Sequence, residues 1–508
     1  MQKDNQGMRA EIISFFVIYL LGFAAPSSAE NNKDFIFDAS LYLRTDAVTL
    51  KNNIDLDSKN SDDSTTYLGA DYGLGLSLKF KDDGPEAYLK LERNGPYDYD
   101  APLFVHNTLR SSSGRIERYR GGELIPHIEE FWYDFPLHNL LSRLKAGLFI
   151  YEPIDNMGMS NAYENYSLSL YGENESLKWK FYYCRPDLAN RSYLGPRIKQ
   201  EREEGIHYTP NKANFFAADA VFTFEKNSIR PYVEVLLDHS GDNRTNLFST
   251  PTHKDLLGTF GLAGNLAFDK LSLGMEGAAN FGKAKASDSN FKDVEHRGYM
   301  ICADAAYDLG RISPHSRFTF ASGNKVTAEM VDNGDATLTS GKNRAFSAYS
   351  PFNTNLANSI YPEPNNSPLV AMGGGYGLNY GISRPSTFGD PRLFENLMLF
   401  SLGLGYELTD KLSLTFDWWY LRTAERGIGS LGGVPRQLSP DLGDELDLSF
   451  DYEFNKNITI SLLSGYFFPG KYYKEERDDE DSLFNPLVRG DGQVNNAYQI
   501  ELSLTLSY

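Results

Sequence analysis

The chain has 508 residues, a net charge of −19 and a mean hydropathy of −0.43. Such an acidic balance argues against a nucleic-acid partner, which needs a basic face. Cys184 and Cys302, the 2 cysteines, lie far apart and outside any CxxC, CxxCH or zinc-ligand spacing, so neither a disulfide framework nor a metal or other cofactor is expected.

The N-terminus reads as a secretory signal peptide over 1–29. Lys3 and Arg9 precede an apolar run from Ile12 to Ala25, and Ser27 and Ala29 are small residues placed for cleavage before Glu30. Met8 serves equally well as the start. Removing the segment takes Lys3 and Arg9 together with Asp4 and Glu11, so the charge is unchanged. Elsewhere no apolar run approaches the roughly 18 residues of a membrane helix. An exported chain of this kind spans a membrane only with strands.

Taken in order, strands are expected near 35–50, 67–81, 85–94, 124–135, 143–151, 163–172, 176–184, 214–225, 229–239, 256–268, 271–281, 297–307, 314–321, 394–408, 412–422, 444–454, 458–467 and 497–508. Their connections alternate in length. The short ones are Asp82-Asp83, Pro136 to Ser142, Glu173 to Glu175, Lys226 to Ser228, Asp269-Lys270, Asp308 to Ser313, Thr409 to Lys411 and Asn455 to Asn457. Long loops separate them, the longest near 322–393. Short periplasmic turns alternating with long external loops are the pattern of outer-membrane barrels. Residues 30–508 therefore read as one all-β domain, a transmembrane antiparallel up-and-down β-barrel of about 18 strands in the bacterial outer membrane.

The C-terminal stretch shows the alternation most plainly. Leu446, Leu448, Phe450, Tyr452 and Phe454 share one face, and Glu445, Asp447, Ser449, Asp451 and Glu453 the other. The last strand repeats the pattern, with Tyr498, Ile500, Leu502, Leu504, Leu506 and Tyr508 opposite Gln499, Glu501, Ser503, Thr505 and Ser507. One face suits lipid and the other water. Phe80, Phe224, Phe268, Tyr307, Tyr406, Phe454 and Tyr508 fall near the short-turn ends with the parity of the lipid face, as an interfacial girdle requires.

The residues Leu442-Gly443-Asp444-Glu445-Leu446-Asp447, Tyr452 to Thr459, and Gly465-Tyr466-Phe467-Phe468-Pro469-Gly470 resemble the C-terminal signature of the alginate-export family of outer-membrane porins. Leu256 to Gly282 and Leu412 to Arg422 are similar, though less specific. The resemblance implies an eighteen-stranded barrel conducting an anionic polysaccharide. It carries over no pore residue.

Parity also assigns a lumen. A basic cluster is expected from Lys79, Lys81, Lys90, Arg143, Lys145, Lys178 and Lys180, joined by Arg317. An acidic arc is expected from Glu234, Glu276, Asp417, Glu445, Asp447, Asp451 and Glu501, with Asp238, Asp304 and Glu453 beside them. Charges on a lipid face are costly, so these point inward. Basic linings favour anions and acidic ones cations; equally, the charges serve to pair and hydrate the wall. The expected function is passive passage of an anionic or polar solute, an exopolysaccharide included. The partners are then outer-membrane lipid, lipopolysaccharide and the transported solute.

Three loop features stand out: the acidic run Lys474 to Ser482, the basic patch Arg191, Arg197, Lys199 and Arg202, and the stretch Gly373 to Gly377. The last lacks the strand–helix context of a phosphate loop. Two other functional classes stay open. A barrel can sheathe an envelope partner such as a cytochrome. It can also be a hydrolase, although Asp238-His239-Ser240 is a poor triad, because adjacent residues do not assemble one, and no HExxH occurs.

Overall fold

The computed structural model describes residues 35–52, 65–80, 84–93, 104–105, 127–137, 142–151, 162–185, 213–239, 252–286, 292–325, 341–346, 396–431, 434–475 and 494–508. The expected signal peptide, Lys81, the turn Asp82-Asp83, the basic patch 191–202, Gly373 to Gly377 and most of the acidic run 474–482 lie outside these residues.

Eighteen long strands form one antiparallel sheet. They are β1 Phe35–Lys51, β2 Thr65–Phe80, β3 Glu86–Arg93, β4 His127–Leu137, β5 Ser142–Tyr151 and β6 Ala162–Glu173. Then come β7 Leu177–Cys184, β8 Ala213–Phe224, β9 Asn227–Asp238, β10 Thr252–Phe268, β11 Leu271–Ala286 and β12 Tyr299–Tyr307. The ring is completed by β13 Ile312–Ala321, β14 Leu397–Thr409, β15 Leu412–Thr423, β16 Asp441–Asn455, β17 Ile458–Pro469 and β18 Ala497–Ser507. Each pairs with its sequence neighbours. The sheet closes where β18 pairs with β1, from Tyr42 opposite Ser507 to Lys51 opposite Tyr498. Closure leaves no long strand with an open edge, which a bilayer demands because lipid cannot hydrogen-bond a bare backbone.

The short turns follow from their residues. Asn174 Oδ1 accepts from the amides of Ser176 and Leu177 at 3.0 and 2.9 Å. Asn455 Oδ1 accepts from the Asn457 amide at 2.8 Å. Side chains that copy a backbone turn reverse the chain in few residues. Asp269, with φ of 49°, takes the left-handed conformation at another reversal.

Alternation sets the two faces. Along β18, Ile500, Leu502 and Leu504 are exposed on the outside, while Gln499, Glu501 and Ser503 are buried inside. The same holds on β16 for Leu446 and Leu448 against Glu445, Asp447 and Ser449. Across the strands the exposed apolar residues form a band far larger than a water-soluble monomer leaves bare. The seven girdle aromatics at the short-turn end are 38–70% exposed. A second set, including Phe281, Tyr299, Tyr466 and Phe468, is exposed toward the loop end. A closed antiparallel barrel with an apolar outer band between two aromatic girdles is the outer-membrane type, and the bacterial outer membrane is its location. No helix among the described residues is long and apolar enough to cross a membrane.

Two features depart from the sequence reading. β10 and β11 run past the expected limits, to Thr252 and Ala286; Lys254, Lys283 and Lys285 break the apolar alternation there, but the backbone ladder continues. Short pairings also join the loop side, among them the hairpin Ile428–Leu431 with Val434–Gln437. Gly432-Gly433 between two strand-like runs was the readable sign of that hairpin.

Candidate functional site

Among the described residues, the inward positions of the barrel carry most of the buried charge. Lys79, Lys90, Arg143, Lys145, Lys178 and Lys180 all have inward parity on β2, β3, β5 and β7. The arc they occupy is not purely basic. Lys90 pairs with Glu92. Arg143 donates to Asp134 through Nε at 2.9 Å and to the Gly84 carbonyl through Nη2 at 3.0 Å. Tyr171 donates its hydroxyl to the same Asp134 carboxylate. Lys145 Nζ sits 3.8 Å from the centre of the Trp132 ring, which stacks on Tyr88 at 5.2 Å. That arrangement is a cation held over an aromatic face.

Arg317 does not join this group. It lies on β13 and is paired with Asp304 on β12, within the acidic arc. Sequence parity also passed over two inward arginines. Arg230 is fully buried and donates to Asp219 from Nε and Nη2, at 3.1 and 2.7 Å. Arg44 lies at the seam and donates to Asp46 at 2.7 Å and to Glu501 at 2.6 Å. Parity finds the face of a residue, but the partner depends on register, which the residues alone do not give.

Glu234, Glu276, Asp417, Glu445, Asp447 and Glu501 are buried at inward positions, and Asp451 is half-buried and accepts from Ser461 at 2.5 Å. Asp417 and Asp447 are cross-strand neighbours. His315 reaches Asp417 from two strands away, Nε2 to Oδ1 at 2.7 Å. The strand between them, β14, offers Gly403 beneath that contact, where a Cβ would overlap both His315 Nε2 and Asp417 Oδ1. Tyr42 crosses Gly73 to donate to Glu92 in the same way. Tyr232 crosses Gly261 to donate to Glu276. Glycine within a strand here marks the close approach of a bridging side chain.

The loop-side part of the lumen is apolar over one arc. Leu397, Leu399, Trp419, Leu421 and Phe467 occupy inward positions and pack with Met300, Phe346, Leu438, Leu442, Tyr472 and Tyr473. Tyr472 and Tyr473 come from the helical turn Lys471–Lys474 after β17. Phe346 is brought in by the segment 341–346, whose Phe346 amide donates to the Ser322 carbonyl at 2.9 Å. The acidic arc thus lies below an apolar cluster on the β12–β17 side. Cys184 and Cys302 are buried free thiols on β7 and β12. Among the described residues no group of three or more His, Cys, Asp or Glu is arranged to hold a metal. The Asp238-His239-Ser240 stretch falls at the end of β9, with Ser240 outside the described residues.

A family model described as alginate export matches residues 375–483. That span contains the 412–422 and 442–470 stretches and does not reach 256–282. None of the curated proteins compared with the chain matches it. Among solved structures, the chain is similar to OccK9 (OpdG) of Pseudomonas aeruginosa, with 10% identity over 93% of this chain and 98% of that one and a TM-score of 0.49. OccAB4 of Acinetobacter baumannii is similar at 10% identity over 94% and 100% of the two chains, with a TM-score of 0.48. OprD of Pseudomonas aeruginosa is similar at 10% identity over 93% of each, with a TM-score of 0.47. The strand order and closure described above rest on the pairing within this chain itself.

Proposed function

We propose that this barrel is a passive channel for an anionic solute, with an acidic exopolysaccharide of the alginate kind as the cargo class. One observation carries the reading: Arg143 and Lys145 on β5 and Lys178 and Lys180 on β7, the strands on either side of β6, occupy inward positions close to the short turns, with Lys79 facing the same mouth from β2. Fixed cations at a mouth raise the local concentration of anions and lower their entry barrier. The Tyr88–Trp132 stack beneath Lys145 adds flat apolar faces beside a cation, suited to the ring of a sugar acid. The match of residues 375–483 to the alginate-export model supports the same cargo class.

Single-channel recording in planar bilayers tests this. Oligouronates added on the short-turn side are expected to block the current in a concentration-dependent way, and neutral oligosaccharides of equal length to block it far less. Equal block by both would remove the anionic cargo and leave only a general pore.

A further inference from the structure

The outer face of β10 and β11 carries a second cationic group, unrelated to the lumen. Lys254, Lys283 and Lys285 are exposed and alternate with the buried Asp255 and Ala284. They therefore continue the outward face of Leu256 and Phe281. Register places Lys254 directly opposite Lys285, and Lys283 opposite Leu256. The Val294–His296 segment extends this sheet, with Glu295 opposite Lys283. Lys342–Asn343 pairs with it in turn, Lys342 beside Glu295. Arg297 and Arg344 are exposed at the same rim.

The local charge runs against that of the chain. Six cations, Lys254, Lys283, Lys285, Arg297, Lys342 and Arg344, meet two outward acids, Asp293 and Glu295. Those acids are taken: Lys283 holds Asp293 at 2.8 Å, and Arg297 holds Glu295 at 2.6 Å. Hydrogen bonds from Lys283 and from the Ala286 amide keep the Asp293 carboxyl below its usual range. The third nearby acid, Asp255, points inward to His296 at 2.7 Å. Lys254 and Lys285 thus stand side by side with no salt bridge or hydrogen bond to an acid among the described residues, although Lys285 lies near enough to Asp293 to help lower its carboxyl. Like charges directly opposite one another in a sheet are destabilising unless an anion lies between them.

The height of the patch identifies that anion. Phe281 and Tyr299, exposed on the same outer face, belong to the loop-side girdle. Lys283 lies two residues beyond Phe281, about 7 Å up the strand, and Lys285 about 7 Å further. That is the level at which the headgroups of the outer leaflet begin. Lysine is a good point-charge donor to phosphate. We propose that this rim binds the phosphate groups of lipopolysaccharide, with Lys254 and Lys285 as the central pair. The proposal rests on the reading that the long loops face outward from the cell.

Native mass spectrometry of the full-length protein in detergent, offered bisphosphorylated lipid A, tests the site. The wild-type barrel should retain the lipid, and K254E/K285E should retain about tenfold less, as expected for losing a charge-assisted contact. Lipid A stripped of phosphate should be retained as poorly by the wild type. Heat-modifiable migration and unchanged conductance establish that the variant barrel is intact, and K254Q/K285Q serves if charge reversal prevents folding. Equal retention by an intact variant, or by lipid with and without phosphate, overturns the site. Orientation is tested separately with Lys285→Cys on whole cells. Labelling by an impermeant maleimide supports the placement, and labelling only after the outer membrane is opened overturns it, whatever the lipid retention.

Discussion

If the barrel is the channel proposed above, replacing Lys79, Lys145 and Lys178 together by glutamate is expected to reverse its ion selectivity. The wild-type barrel should show a reversal potential on the anion-selective side under a salt gradient, because these lysines crowd one mouth of the lumen. The triple variant turns that mouth acidic and joins it to the acidic arc of Asp417, Asp447 and Glu501. Its reversal potential should change sign. The effect should be largest at low salt, where the Debye length of about 30 Å at 0.01 M spans the mouth. At 1 M salt, with a Debye length of about 3 Å, it should nearly vanish. Lys79 is exposed, whereas Lys145 and Lys178 are half-buried, so K79E alone should preserve the fold and shift selectivity part of the way. Clear cation selectivity in the wild type, unaltered by the triple change, would rule the mechanism out.

The second large effect lies at the seam. Arg44 is the cation that joins β1 to β18, holding Asp46 and Glu501, whose side chains are both fully buried. Removing the guanidinium leaves two carboxylates close together without it, and an uncompensated buried charge is among the costliest single defects. Arg44→Ala should cost about 3 kcal/mol, the lower part of the usual range for breaking a buried pair, since Arg44 is itself partly exposed. Urea unfolding from lipid vesicles would show the loss, together with a weaker heat-modifiable band. Combining Arg44→Met with Asp46→Asn and Glu501→Gln should recover most of the stability, because no charge then remains buried. Unfolding of Arg44→Ala at the wild-type urea concentration would show that the seam does not depend on this cluster.

The strands were legible because most of them face lipid on one side and water on the other. A period of two then survives in the residues, as along Glu445 to Phe454, and all eighteen expected strands overlap observed ones. The girdle aromatics were legible for the same reason. Reading failed where both faces are apolar. Trp418-Trp419-Tyr420-Leu421 and Leu397-Met398-Leu399-Phe400 are unbroken apolar runs; parity with Asp417 and against Tyr406 turns Trp419 and Leu399 inward, but the residues alone do not show what buries them there. Their inner side is covered by Phe346, Tyr472 and Tyr473, brought from distant parts of the chain. Charge pairing was hidden as well. Asp134 and Glu92 did not stand out in the sequence, and register makes them the partners of Arg143 and Lys90. Gly73, Gly261 and Gly403 were visible in the sequence, but the side chains that cross them were not.

These two faces can be measured one residue at a time. Nitroxide labels placed singly along β18, from residue 499 to residue 504, should alternate in accessibility. Labels at 500, 502 and 504 should collide with lipid-dissolved oxygen, and labels at 499, 501 and 503 should be shielded from it. A two-residue rhythm of that phase is the result expected of a closed cylinder with lipid outside and polar residues within. Uniform accessibility, or a period near 3.6, would contradict it.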